Sequence, residues 1–171
     1  AIAITPWPAL ASYRQVDPNI YSPRLFPAEW AWMEENRRRA REEIAIAKKL
    51  HLQVVSPGDA PSLPRQVFTL YGLGVGEVSH QRRLCLDRPL TQRLISAALD
   101  EVLTDFPEID AIMVRTGENY PLGPLVGNTP EEARCGPGDQ AGTRTGIDLV
   151  RQQVIDAHGK TYIHRAWEIG D

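Results

Sequence analysis

The chain has 171 residues, 42% of them hydrophobic and 24% charged, with a formal net charge of −3. That suffices for one domain with a real core and argues against a protein that tracks nucleic-acid phosphates, which would carry a basic patch. The two cysteines, Cys85 and Cys135, have no short spacing, which excludes a zinc ribbon or a disulfide scaffold and leaves the compartment open.

Ala1-Ile-Ala-Ile-Thr5 reads as a short strand stopped by Pro6 and Pro8. A long connection over 6–27 follows, with five prolines and with Trp7, Tyr13, Tyr21 and Phe26. Pro27-Ala-Glu-Trp30 opens a helix, with proline in the first turn and an early acidic residue. Trp30, Met33, Ala40, Ile44 and Ala47 recur at helical spacing and are expected to face the core. Arg37, Arg38, Arg39 and Arg41 cluster on this helix, but Glu34, Glu35, Glu42 and Glu43 flank them, so a solvated, salt-bridged face is expected rather than a nucleic-acid site.

Leu52-Gln-Val-Val55 reads as the second strand, closed by a turn at Ser56-Pro-Gly-Asp59. A second long connection runs to about Arg88. Gly72, Gly74 and Gly76 within it neither follow a strand nor open a helix, so they are a poor dinucleotide fingerprint. Asp87 resembles a cap before Pro89, and Leu90, Leu94, Ala98 and Val102 form an i, i+4 stripe that Pro107 ends. Ala111-Ile-Met-Val114 is a buried strand that ends in Arg115-Thr-Gly-Glu118. The loop Asn119 to about Gly142 follows, rich in glycine and proline. Thr145 to His158 is the last helix, with Ile147, Val150, Val154 and Ile155 inward. Gly159 is its C-cap, and Thr161-Tyr-Ile-His-Arg165 is the fourth strand.

The order is therefore β-α-β-α-β-α-β, an α/β class with a parallel sheet. Strand-to-helix connections span about twenty residues or more, and helix-to-strand connections only about one to three. The long connections all fall on the face where α/β proteins bind and react, and a purely structural protein has no reason to enlarge that face alone. Four strands make half of an eight-stranded barrel, which typically needs ~250 residues. Residues 1–171 are therefore expected to be one α/β unit, a partial (β/α)8 TIM barrel. A complete doubly wound sheet would more often carry a glycine-rich phosphate loop at its first turn, and Thr5-Pro-Trp-Pro8 has no glycine.

The chemistry concentrates at two strand ends. Glu118, just past a buried strand with Arg115 before it and Asn119 and Tyr120 after it, suits a general acid that protonates a departing glycosidic oxygen. Pairing with Arg115 or capping a turn is the plainer alternative. At the fourth strand, alternation sets His164 on one face with Ala166, and Arg165 on the other with Trp167. Either polar residue suits a sugar carboxylate or hydroxyl, with Trp167 as a platform for a pyranose ring and Glu168 as a second carboxylate. A core histidine and a packing tryptophan are the alternatives. Trp7, Tyr13 and Tyr21 either line a sugar subsite or pin down their loop, and Asp59 is a weaker candidate in an ordinary turn. The four histidines lie too far apart in sequence for a metal motif, and no metal or other cofactor is required.

The run from Leu84 to Pro124 resembles the xylan α-glucuronidase type of glycoside hydrolase, and more distantly the β-N-acetylhexosaminidases. It shows a helix of the form Pro-Leu-Thr-x-x-Leu…Glu-Val-Leu, then Phe-Pro-Glu-Ile-Asp, a strand and a Glu. Arg115-Thr-Gly-Glu118…Leu122-Gly-Pro124 is similar to the α-glucuronidase motif that carries the catalytic acid, and His164-Arg-Ala-Trp167 to a later strand end, Trp-Arg-Ala plus an aromatic. The resemblance covers about half the chain, roughly 84 to 168. Gly117 stands where the hexosaminidases have Asp, which speaks against their substrate-assisted mechanism. The resemblance implies a sugar-cleaving TIM barrel with a carbohydrate substrate, Glu118 as acid, and the base carboxylates on strands beyond Asp171. Its partner is then the rest of the barrel or a second copy of the chain, with no nucleic acid and no membrane. Two rivals stay open: a non-catalytic carbohydrate-binding barrel, and a small complete α/β domain that binds a nucleotide or phosphate.

Overall fold

Short β-branched runs and long amphipathic stretches alternate along the chain, and the computed structural model turns them into four parallel strands joined by helices. It describes residues 1–59, 62–75, 86, 88–116 and 140–166. Strand β1 is Ile2–Ala3, and β2 is Val54–Asp59 after helix α1, Pro27–Lys49. Helices α2, Arg65–Tyr71, and α3, Pro89–Asp105, lead to β3, Ala111–Thr116. Helix α4, Gln140–Arg151, continues as a π-helical turn over Gln152–Ala157 before β4, Thr161–Ala166. The strands lie in the order β1-β2-β3-β4, every neighbouring pair parallel. The α/β class and the parallel sheet are thus as the alternation of elements predicts.

The sheet has two unlike faces. Ile4, Val54, Ile112 and Val114 join the helices in one hydrophobic core with Leu94, Leu99, Val102, Val150 and Val154. The alternate residues Val55, Ala111, Met113 and Ile163 point the other way, and Ile163 is 38% exposed. The side chains of this second face stand outside the hydrophobic core.

Four details depart from the sequence reading. First, Ser56-Pro-Gly-Asp59 is not a turn but the second half of β2, in register with Ile112 to Arg115. The backbone explains why a proline fits here. Ile4 N–H donates to Val55 O at 3.0 Å, so alternate residues of β2 present their backbone to β1. Pro57 falls on that same side, beyond the last paired residue of β1, where no ladder donor is required. Second, α2 lies inside what reads as a bare connection. Third, Trp30 and Ile155, expected inward, are 39% and 41% exposed, while Met33, Ala40, Ile44 and Ala47 are buried as expected. Trp30 sits in the first turn of α1, one turn ahead of the first buried position, Met33. Fourth, the arginine cluster divides. Arg38 pairs with Glu35 and Glu42 on the exposed face, but Arg37 is buried.

Arg37 belongs to a network that folds the first connection onto the helices. Its Nη1 donates to Leu10 O at 2.5 Å and lies 3.4 Å from Glu101 Oε1, and its Nη2 pairs with Asp105. Glu101, 1% exposed, also accepts from Ser12 N–H at 3.0 Å, Ser12 Oγ at 2.5 Å and Tyr13 N–H at 2.9 Å. The Arg37 and Arg41 guanidinium carbons each lie 5.1 Å from the Phe106 ring centroid. A buried carboxylate with this many donors is a satisfied one. Tyr13, at φ +61°, turns the chain here, and its ring lies near-parallel to Tyr21 at 6.4 Å. Tyr71 of α2 donates to Asp17, tying the same connection to a third helix.

At the amino ends of the strands, Asp110 accepts from Lys48 Nζ and from Val54 N–H, each at 2.7 Å. Gly159, at φ +62°, ends the last helix: its N–H donates to Ile155 O at 2.9 Å and Lys160 N–H to Val154 O at 2.8 Å. This is the glycine-terminated helix end that the sequence predicts.

Candidate active site

Parallel pairing brings residues from different strands into rows across the sheet. Asp59, Arg115 and Arg165 form one such row at the carboxyl ends of β2, β3 and β4, and Pro57, Met113 and Ile163 form the row beneath it. In front of these rows opens a cavity of about 790 Å³. Arg115, Arg165 and Met113 line it from the sheet. Pro6 and Pro8 contribute from the first connection, Glu29, Trp32 and Asn36 from α1, and Ser62 to Gln66 from the approach to α2 and its first turn. Arg115 and Arg165 bring two guanidinium groups to the cavity from the sheet, and Arg65 and Glu29 line it from the helices. Planar guanidinium groups are suited to paired hydrogen bonds with carboxylates.

Local sequence explains the remaining walls. The prolines at 6, 8, 57 and 64 carry no backbone N–H and hold φ near −65°, so this part of the lining is stiff and largely apolar. Tyr21, 6% exposed, reaches the cavity from the first connection. Burial, reinforced by the Glu29 carboxylate, pushes its pKa up to about 12, so the phenol stays neutral and able to donate. Asn36 donates from Nδ2 to Trp32 O at 2.9 Å, one helical turn back. Trp32 itself is 54% exposed.

Of the residues singled out in the sequence, Arg115 and Arg165 come together as neighbours at the cavity. His164 lies on the opposite face of β4, near-parallel to Tyr162 with ring centroids 6.1 Å apart, and is not brought to the arginine row. Trp7 is fully buried, so it offers no surface to a ligand. Its indole lies over the bare Cα of Gly58, beneath the cavity wall. Tyr13 is likewise buried and pins the first connection; its pKa is raised well above the ordinary value by burial, then by Tyr21 and Glu101. Glu118, Asn119, Tyr120, Trp167 and Glu168 lie outside the described residues.

Trp32 and Glu29 line the cavity although the sequence reading assigned neither to a site, while Tyr21, read as either a subsite aromatic or a loop anchor, reaches it. Trp32 and Trp30 are two positions apart on a helix and so face different directions, and only contact with the core separates them. Among the described residues, no group of three or more His, Cys, Asp or Glu is arranged to hold a metal ion, and no helix is long and apolar enough to cross a membrane. Fold and cavity together define a parallel α/β protein with an arginine-lined, partly aromatic pocket at the carboxyl ends of its strands. Comparison with protein-family models, with curated proteins and with solved structures found no match.

Proposed function

We propose that this chain forms the catalytic side of a glycoside hydrolase, with Glu118 as general acid and the parallel sheet as an arc of a (β/α)8 barrel. Sequential strand order supports the barrel, because doubly wound sheets reverse direction at a switch point and this sheet has no reversal among its described strands. The observation that carries the functional reading is the Arg115–Arg165 pair: two neighbouring strands deliver a cation each to one cavity, and Glu118 follows Arg115 by three residues.

In this reading the arginines hold a sugar carboxylate or hydroxyls, the neutral Tyr21 phenol donates to a ring oxygen, and the stiff proline-rich wall holds the sugar in place. The Glu118 carboxyl gives its proton to the glycosidic oxygen as the bond from that oxygen to the anomeric carbon breaks. Water then supplies hydroxide to the anomeric carbon and the displaced proton returns to a carboxylate. Asn119, Tyr120, Trp167 and Glu168 are assigned to the same sugar from their sequence positions after β3 and β4, whereas His164, on the opposite face of β4, is left out of the pocket.

Glu118→Gln keeps the shape of the side chain and removes the proton. Reducing-end release from glucuronate-bearing xylan and a panel of other polysaccharides is expected to fall by orders of magnitude, with the melting temperature unchanged. Turnover equal to that of the parent chain would rule the acid out. Glycan binding with no hydrolysis by the parent would favour a non-catalytic carbohydrate-binding barrel.

A further inference from the structure

The most exposed aromatic ring lining the cavity is that of Trp32. Trp32 lies in the second turn of α1 and keeps 54% of its surface in water, although Met33 and Asn36 on the same helix are buried. Exposing a large indole forgoes the burial that usually rewards it, and single exposed rings are common enough to need no explanation on their own. This one, however, lines the same cavity as Arg115 and Arg165. Its backbone is held in place as well, because the buried Asn36 side chain bonds the Trp32 carbonyl. A cavity wall with an indole face and guanidinium groups from the sheet is amphipathic. It matches a ligand with one apolar face and polar substituents at its edge, the description of a pyranose ring.

We infer that Trp32 is the specificity-determining platform of this site: a pyranose stacks its C–H face on the indole while its polar edge turns to Arg115 and Arg165. The inference rests on the glycoside hydrolase reading for the class of ligand, but it concerns binding and not the acid. It also assigns a role to α1, which a reading centred on strand ends leaves out. Removing the ring weakens association and leaves the protonation step alone, so KM should rise while kcat stays close to that of the parent.

The test uses the full chain carrying Glu118→Gln, so that bound glycan is not consumed, with a glucuronoxylan oligosaccharide as the probe in isothermal titration. Trp32→Ala is expected to weaken binding about tenfold or more, and Trp32→Phe, which keeps an aromatic face, to recover most of it. In the chain with Glu118 intact, the Trp32→Ala effect should appear in KM and not in kcat. Since the side chain is more than half exposed, both variants should fold, which circular dichroism checks. Equal affinity for Trp32→Ala and the parent would overturn the platform and leave the hydrolase reading standing. Absence of binding by the parent to the whole glycan panel would overturn both. A fall in kcat with unchanged KM would also remove the platform, since stacking in the ground state cannot produce it.

Discussion

At the scale of single residues, the tightest constraint lies behind the cavity and not in it. A Cβ on Gly58 would collide with Trp7 Nε1 and lie 2.7 Å from Trp7 Cδ1 and 2.9 Å from Pro8 Cδ. Trp7 is fully buried, so the indole has nowhere to swing. Gly58→Ala is therefore an overpacking substitution and should cost about 1–3 kcal/mol, read as a lower midpoint in urea with an unchanged slope. A stability equal to that of the parent would mean that the first connection is looser than its buried surfaces indicate. The same contact gives Trp7 a packing role: its aromatic bulk backs Gly58, which lines the cavity. A sequence shows an aromatic in a loop, but whether that aromatic meets a glycine on another strand depends on residues fifty positions away.

At the scale of elements, the first connection behaves as a part of the helix layer. Glu101 on α3 gathers donors from Ser12, Tyr13 and Arg37, joining α1, α3 and the connection through one carboxylate. Glu101→Ala would leave the Arg37 cation, 7% exposed, with Asp105 as its remaining ion-pair partner among the described residues, and the Ser12 and Tyr13 amides without this acceptor. Breaking a buried pair from one side costs about 3–5 kcal/mol, a large share of a typical folding free energy of ~5–15 kcal/mol. Equilibrium denaturation should show that loss, and native-state hydrogen exchange should rise first at residues 10–14. Loss confined to α3 would contradict the tie. The sequence made the helices legible through their period, yet Arg37 looked like one more member of a solvated face. Charge type and spacing cannot separate Arg37 from Arg38 when a partner 64 residues away decides which of them is buried.

At the scale of the whole molecule, the amino ends of the strands hold the layers together while the carboxyl ends border the cavity. Asp110 joins the end of α1 to the starts of β2 and β3. Burial raises its pKa, but the Lys48 and Val54 hydrogen bonds outweigh that and hold the carboxyl below its ordinary value. The unfolded chain therefore takes up the proton more readily. The contribution to stability is full above the ordinary carboxylate value of about 4 and is lost as the pH falls through the lower folded value. Asp110→Asn should melt below the parent at neutral pH and converge with it in acid. The gap should be modest, because the carboxylate is 38% exposed and screened by solvent. A constant gap at every pH would show that packing, and not charge, holds this corner.

Alternation of strand-like and helix-like runs and the glycine after the last helix were decided locally, within a few residues of each other, and the sequence alone determined them. The connection after β2, by contrast, is short, because β2 runs on to Asp59 and α2 starts at Arg65. Strand register was not decided locally: it aligns Arg115 with Arg165, carries β2 on through Pro57 and Gly58, turns His164 away from the arginine row and brings Trp32 to the cavity. Each of these depends on which side chains distant parts of the chain place opposite one another. Backbone pairing and burial fix that choice in three dimensions, and no periodicity along one dimension encodes it.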